Sequence, residues 1–561
     1  MAKRLAITIA GAVSLGSYEA GVLYELMRAI RTYNEAAPSD DQKLYVDVVT
    51  GASAGGMTAA MVSQRLMYDA ASLEGEFTNS LYQAWVERIS LMGLVKMRWS
   101  EKKWHSLFSS DLVNSIGQDM LVSSMQREGS GPHAAVEQIN GVPQTLRIGL
   151  ALTNLNGIDY MIPILGSDEG GFNYTRSVDQ KLFEISADGK TNATQWKQIC
   201  DAAVASGAFP VAFCPKAIQR TVDEFGDRLP ADKHLWAQGK IYVDWTGPSP
   251  AEFAFSDGGV LQNQPLGIAK NLVDAAVADR EARLGPAALC DGSDRLYVFI
   301  TPHSVKSTAQ HLRARKVTIW DELKQLVSVY MRQAMFHDWI IAEGINQKIT
   351  LLDTRASELA DAIARGLLDI ASLAKASSDL NAMLMPNQEQ ARLGRLREQY
   401  RSEYNRVLAA VDSQAADAFV STLGTLEAAA HLENRDKMKI VAVIADAQRE
   451  LAGSGLAAFV GFFQRAFRQH DYWVGRVKTR AYLQRSDVKR ILEVREWPEE
   501  KSWQAGLSNP SGVTLPIRKF QILRAAFIPA IIMVLVRPAL LFTLLLLGCA
   551  ASYVVWYLLN H

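Results

Sequence analysis

Val48-Val49-Thr50-Gly51-Ala52-Ser53-Ala54-Gly55-Gly56 places a serine between two glycines, two residues away on either side. With a β-rich apolar run before it and a helical pattern after it, this is the spacing of a nucleophile elbow. The serine of such an elbow sits in a strained backbone conformation, and Gly51 and Gly55 leave room where a Cβ would clash with the neighbouring strand and helix. Its Oγ is held at a helix N-terminus, where the dipole and free N–H groups favour negative charge. A serine hydroxyl attacks only when a base takes its proton. Phe253-Ala254-Phe255-Ser256-Asp257-Gly258-Gly259-Val260 offers one, because an aspartate that ends an apolar run before two glycines can be held at a tight turn facing a cleft. Asp-Gly-Gly alone is an ordinary turn sequence. Beside Ser53 it gains a chemistry, general-base activation of a hydroxyl.

The surrounding elements are those such a pair needs. LAITIA (strand over 4–10), KLYVDVVT, TLRIGLALTNL and RLYVFITP read as buried strands, and residues 17–34, 54–68 and 265–281 as helices. The alternation predicts an α/β fold, a largely parallel central sheet covered by helices on both faces. The segment 220–250, with its prolines, glycines and mixed charge, reads as an insertion or long loop. Beyond about 310 strand patterns vanish, and apolar residues such as Leu352, Leu359, Leu367 and Leu380 recur at helical spacing, predicting an all-α domain. Heptads are not sustained, so no coiled coil is expected.

Composition narrows the partners. Of 561 residues, 48% are hydrophobic and 21% charged, enough apolar material for a sizeable core and too much for a disordered chain. Fifty-nine basic residues balance fifty-nine acidic ones, so nucleic acid is not an expected partner. Cys200, Cys214, Cys290 and Cys549 show no C-x-x-C spacing, which fits a reducing compartment and neither a disulfide framework nor a zinc ribbon. Lys3 and Arg4 before an apolar run imitate a secretory signal, but no small-x-small cleavage site closes it and Tyr18 to Leu23 runs on into a helix, so a buried first strand is expected.

Three segments in order, AGAVSLGSYEAGVL, GASAGG and SDGGVLQNQP, together with Ala205-Ser206-Gly207-Ala208-Phe209-Pro210, resemble the patatin-like phospholipase family over residues 4 to about 304. The resemblance implies a Ser53–Asp257 dyad without histidine, an acyl-enzyme, a membrane phospholipid or lysophospholipid substrate, and no cofactor or metal. It assigns the oxyanion hole to the backbone of Gly11, Ala12, Val13 and Ala54, with Gly16, Gly51, Gly55, Gly258 and Gly259 as supports. The loop after the first strand departs from the family's G-G-G-x-[RK]-G: here it is Gly11-Ala12-Val13-Ser14-Leu15-Gly16, and β-branched Val13 tolerates a positive φ poorly. A catalytically weak or inactive membrane scaffold is therefore the alternative expectation. A second rival is an α/β-hydrolase triad of Ser53, Asp257 and His303, although that fold puts its nucleophile strand deep in the chain. Further on, Arg468-Gln469-His470-Asp471-Tyr472-Trp473-Val474-Gly475-Arg476 is similar to the C-terminal extension of certain bacterial patatin-related proteins.

The expected organisation is a patatin-like catalytic domain at 1–310, a helical domain at 311–491, a linker at 492–516, an interfacial or re-entrant segment at 517–537, and a transmembrane helix at 538–559. The last carries no charged residue and, at about 1.5 Å per residue, covers roughly 33 Å, enough for one pass; a two-pass hairpin turning at Arg537-Pro538 is the alternative. Arg518, Lys519, Arg524 and Arg537 precede it, predicting a single-pass C-terminal anchor with the catalytic domain in the cytoplasm. Two segments that interleave aromatic and basic residues, Lys96–Phe108 and Arg465–Arg490, read either as solvated helix faces or as surfaces lying on anionic headgroups.

Overall fold

The computed structural model describes residues 2–95, 106–127, 129–163, 171–186, 193–231, 240–284, 295–302, 318–384, 411–429 and 438–515. Strand β1 (Lys3–Ile9) is buried at every position. Its side chains alternate: Leu5, Ile7 and Ile9 join one apolar cluster, and Ala6 joins another on the opposite face of the sheet. Helix α1 (Gly16–Ala36), strand β2 (Leu44–Gly51) and helix α2 (Ala54–Tyr68) follow. Then come the long strand β3 (Leu146–Pro163), β4 (Gly171–Ile185), helix α3 (Ala193–Ser206), β5 (Lys216–Arg220), β6 (Tyr242–Val243) and β7 (Ala251–Asp257). Helix α4 (Leu266–Leu284) leads to β8 (Leu296–Thr301). The later elements are helices α5 (Ile319–Ala364), α6 (Ile370–Leu384) and α7 (Ser413–Ala429), strand β9 (Lys439–Ile444) and helix α8 (Arg465–Leu483).

The nine strands form one sheet along the path β9-β8-β1-β2-β3-β7-β5, with β4 and β6 also paired to β3. From β9 to β3 the neighbours are parallel, and the flank beyond is antiparallel. One face carries α1, α2, α3 and α8; the other carries α4 and the part of α5 around Trp339 and Ala342. This is the mixed α/β sheet covered on both faces that the alternating pattern predicts.

The register of β3 decides where the chemistry sits. Its Leu146–Thr153 half is bonded to β4 along one edge. On the other edge β2 pairs up to Gly51↔Leu150, and β7 arrives from the opposite direction, ending at Asp257↔Leu152. Two strands far apart in sequence therefore end head to head on one strand, two residues apart. Whatever follows Gly51 must meet whatever side chain ends β7.

Three features differ from the sequence reading. Residues 439–444, placed within an all-α region, form β9 and extend the sheet through parallel pairing with β8. Helix α8 is no part of a separate domain either, because it crosses α1 closely. A Cβ on Gly21 would run into the Tyr472 carbonyl, and one on Gly475 would run into the Tyr18 carbonyl. The stretch expected as a linker packs as well: Trp497 and Trp503 are buried, and Trp497 lies 5.5 Å from the Tyr33 ring. Helices α6 and α7 do cluster with the end of α5, through Ala356, Ala360, Phe419 and Leu423.

The cations of the basic stretch 465–490 are mostly buried or paired within the protein. Arg468, Arg476 and Arg480 are buried, and Glu25 of α1 accepts from Arg476 Nε at 3.0 Å and from Arg480 Nε at 2.6 Å. Arg465, Lys478, Arg485 and Lys489 pair with Glu87, Glu450, Asp487 and Glu500. Among the described residues no helix is long and apolar enough to cross a membrane. The expected segments 517–537 and 538–559 lie outside the described residues, as do Lys96–Trp104 and His303.

Candidate active site

Gly51 ends β2, and the chain turns at Ser53, whose φ of 54° and ψ of −129° lie outside the regions that L residues ordinarily occupy. The flanking glycines allow the turn. A Cβ on Gly51 would run into the Gly55 carbonyl, and one on Gly55 would come within 2.6 Å of the Ala10 and Ile9 carbonyls at the end of β1. The Ser53 N–H donates to Ser206 Oγ at 3.0 Å, and Ser206 Oγ donates in turn to the Ala151 carbonyl at 2.8 Å. Ser206 at the end of α3 thus ties the elbow to β3.

Ser53 Oγ donates to Asp257 Oδ2 at 2.6 Å. Asp257 is fixed on all sides. Its N–H donates to the Ala208 carbonyl at 3.0 Å, its own carbonyl accepts from Thr153 Oγ1 at 2.8 Å, and Oδ1 accepts from the Gly259 N–H at 2.6 Å. Gly258 turns so close to β3 that a Cβ would strike the Ala151 carbonyl, and one on Gly259 would come within 3.0 Å of Asp257 Oδ1. Burial pushes the Asp257 carboxyl up to about 7, against the pull of the hydrogen bonds from Ser53 and Gly259. Ser53 is 5% exposed and Asp257 1%. A carboxylate poised near neutrality, in contact with a strained serine, is equipped to take the serine's proton.

The loop after β1 borders this pair. A Cβ on Gly11 would sit 3.0 Å from Ser53 Cβ. The Gly11 N–H, however, donates to the Asn263 carbonyl at 3.0 Å, so it is committed elsewhere and does not face the pair as an oxyanion donor. The N–H groups of Ala12, Val13 and Ala54 bond to no acceptor among the described residues. Val13 has a φ of 52°, the left-handed backbone that its branched Cβ opposes. Gly16 opens α1 under the Trp85 ring, whose atoms would lie 2.7 Å from a Cβ there.

Ser206 and Asn263 stand in the sequence only as letters of longer motifs, and nothing in their spacing marks the bonds they make. The turn after Asp257 continues through Leu261 and Gln262 into the wall of a cavity of about 620 Å³, lined also by Arg176, Arg220 and Asp338. Among the described residues no group of three His, Cys, Asp or Glu side chains is placed to hold a metal ion.

These features belong to a known class. Residues 7–270 match the family model of the patatin-like phospholipases, and the chain carries a patatin-like phospholipase domain there. The family of that domain is one of lipid acyl hydrolases. It is also similar to the uncharacterized protein y4iI of Sinorhizobium fredii, 22% identical over an alignment 395 residues long that covers 55% of this chain and 53% of that protein. The chain thus spans about half the length of the curated relative it matches.

Proposed function

We propose that the chain is a membrane-anchored serine lipid acyl hydrolase of phospholipase A or lysophospholipase type, with Ser53 as nucleophile and Asp257 as base. The observation that carries this reading is the 2.6 Å hydrogen bond from Ser53 Oγ to Asp257 Oδ2, made at an elbow with φ of 54°. Ionised Asp257 takes the Oγ proton as Oγ bonds to the acyl carbonyl carbon. The carbonyl oxygen becomes the oxyanion, facing N–H groups of Ala12, Val13 and Ala54. Collapse breaks the ester C–O bond, Asp257 returns the proton to the leaving alkoxide, and the acyl group stays on Ser53. Water, deprotonated by Asp257, then attacks the acyl carbon, and the fatty acid leaves as Ser53 recovers its proton.

Because both side chains are buried, a lipid ester reaches them only when the covering side chains part, a step that contact with a bilayer would favour. The uncharged stretch 538–559 is read as the tether, with the catalytic domain on the cytoplasmic side.

The purified full chain, given a panel of phospholipids and lysophospholipids, is expected to release fatty acid, and Ser53→Ala and Asp257→Asn are expected to abolish release. Turnover that survives Ser53→Ala would overturn the reading. One observation favours the alternative of a weak or inactive scaffold, the left-handed Val13 in place of a glycine. On that reading a fluorophosphonate probe leaves Ser53 unlabelled. Retained turnover by His303→Ala would dispose of the histidine triad.

A further inference from the structure

The segment Arg468–Arg476 lies beyond residues 7–270 and has no part in the chemistry described so far. Its buried side chains hold both ends of one stretch, Leu451–Phe463. Asp471 Oδ1 accepts from the Ala452 N–H at 2.6 Å and Oδ2 from the Gly453 N–H at 2.9 Å. One turn earlier on α8, Arg468 Nη1 donates to the Gly461 carbonyl at 3.0 Å, and its Nε donates to the Val86 carbonyl at 3.0 Å. Between these anchors the Ala458 carbonyl accepts the hydroxyl of Ser14.

The fit around Ser14 and Leu15 is close. A Cβ on Gly453 would sit 3.0 Å from Leu15 Cδ2 and 3.2 Å from Gly461 Cα, and one on Gly461 would land on the Ser14 side chain. Ser14 is the neighbour of Val13. A β-branched residue keeps a positive φ only where its surroundings over-determine it. Here the surroundings are supplied from more than 400 residues away, by a hydrogen bond spanning 444 positions.

We propose that Leu451–Phe463 is a positioning strap for the loop after β1: by holding Ser14 it keeps Val13 left-handed and so aims the Ala12 and Val13 N–H groups at the oxyanion that forms beside Ser53. The proposal rests on the hydrolase reading. It makes Ser14, Arg468 and Asp471 positioning residues that act through the backbone of the loop. It also explains how the glycines of the family pattern can be absent, since rigidity imposed from outside replaces conformational freedom within.

The test uses the full chain with Ser14→Ala, Val13→Gly and the pair together. On a soluble short-chain ester, Ser14→Ala is expected to lower kcat by about 10- to 100-fold with KM within about twofold, the pattern of a lost transition-state interaction. Val13→Gly added to Ser14→Ala is expected to recover about tenfold or more, because glycine adopts the conformation unaided. Amide hydrogen exchange across Gly11–Gly16 is expected to speed up in Ser14→Ala, whether or not the chain turns over an ester. Unchanged kcat in Ser14→Ala, no recovery with Val13→Gly, or unchanged exchange would each overturn the strap. Wild-type chain without Ser53-dependent ester hydrolysis, but with the expected change in exchange, would instead remove the hydrolase reading.

Discussion

Asp257 is subject to opposed influences: burial raises its carboxyl to about 7, while hydrogen bonds from Ser53 and Gly259 favour the ionised form. As a base it works only when ionised, so kcat/KM for a soluble ester is expected to rise with pH through about 7. A profile flat from pH 5 to 9 would remove the base role. The same shift has a stability consequence of opposite sign. Its folded pKa lies above the ordinary 3.8, so this group's contribution is fully present below that value and is lost as pH rises through about 7. Asp257→Asn is therefore expected to raise Tm at pH 8, and by less at pH 5, while abolishing turnover. Ser53 and Asp257 were legible because their neighbours announce them: glycines on both sides of the serine, two glycines after the aspartate, and an apolar run before each. Ser206 and Asn263 were not, because their bonds join elements that nothing in the local sequence brings together.

At the scale of elements, β1, β2, β8 and helices α1, α2 and α4 are readable to within a few residues, since the strands are near-continuous apolar runs and the helices alternate with them as a covered parallel sheet requires. Strand β9 is not. Its six residues KIVAVI, four of them β-branched, carry the strand signal themselves, but the helix-rich composition on either side hides so short a run, which completes the sheet along the edge of β8. Helix α8 misleads for a related reason: its cations look surplus until Glu25, Glu76 and Glu87 from far upstream stand beside them. Glu25 is 1% exposed and shared by Arg476 and Arg480, so Glu25→Ala leaves two guanidinium groups short of a partner in a buried interface. Breaking a buried pair in this way costs about 3–5 kcal/mol. A urea titration of Glu25→Ala is expected to show a loss of that order, and a loss under about 1 kcal/mol would mean that the pairing is worth no more than an exposed one.

For the molecule as a whole, the family match and the folding unit have different limits. The match ends at residue 270, yet β1 needs β8 along the register Leu5↔Leu296 to Ile9↔Ile300, and α1 needs α8. A chain ended at 310 keeps β8 but loses β9, α8 and the buried tryptophans 497 and 503. It is expected to be insoluble, or to unfold non-cooperatively in urea. A chain ended at 515 is expected to stay folded and, relative to the full chain, to move from the membrane fraction to the soluble one. Soluble, cooperative unfolding of the 310-residue chain would show that the later elements are an accessory.

The strap reaches the loop after β1 only when the chain has been made as far as Phe463. At ~5–20 residues per second, about 10 to 40 s of synthesis separate Asp257 from that point. Throughout that interval the nascent chain carries Ser53 and Asp257, the proposed nucleophile and base, but lacks the contact that on the proposed reading aims the N–H groups of Ala12 and Val13. On the proposed mechanism the order of the sequence acts as a delay: catalytic competence comes late, shortly before the uncharged stretch 538–559 is made. A cell making such a hydrolase would be spared its activity before the proposed tether exists.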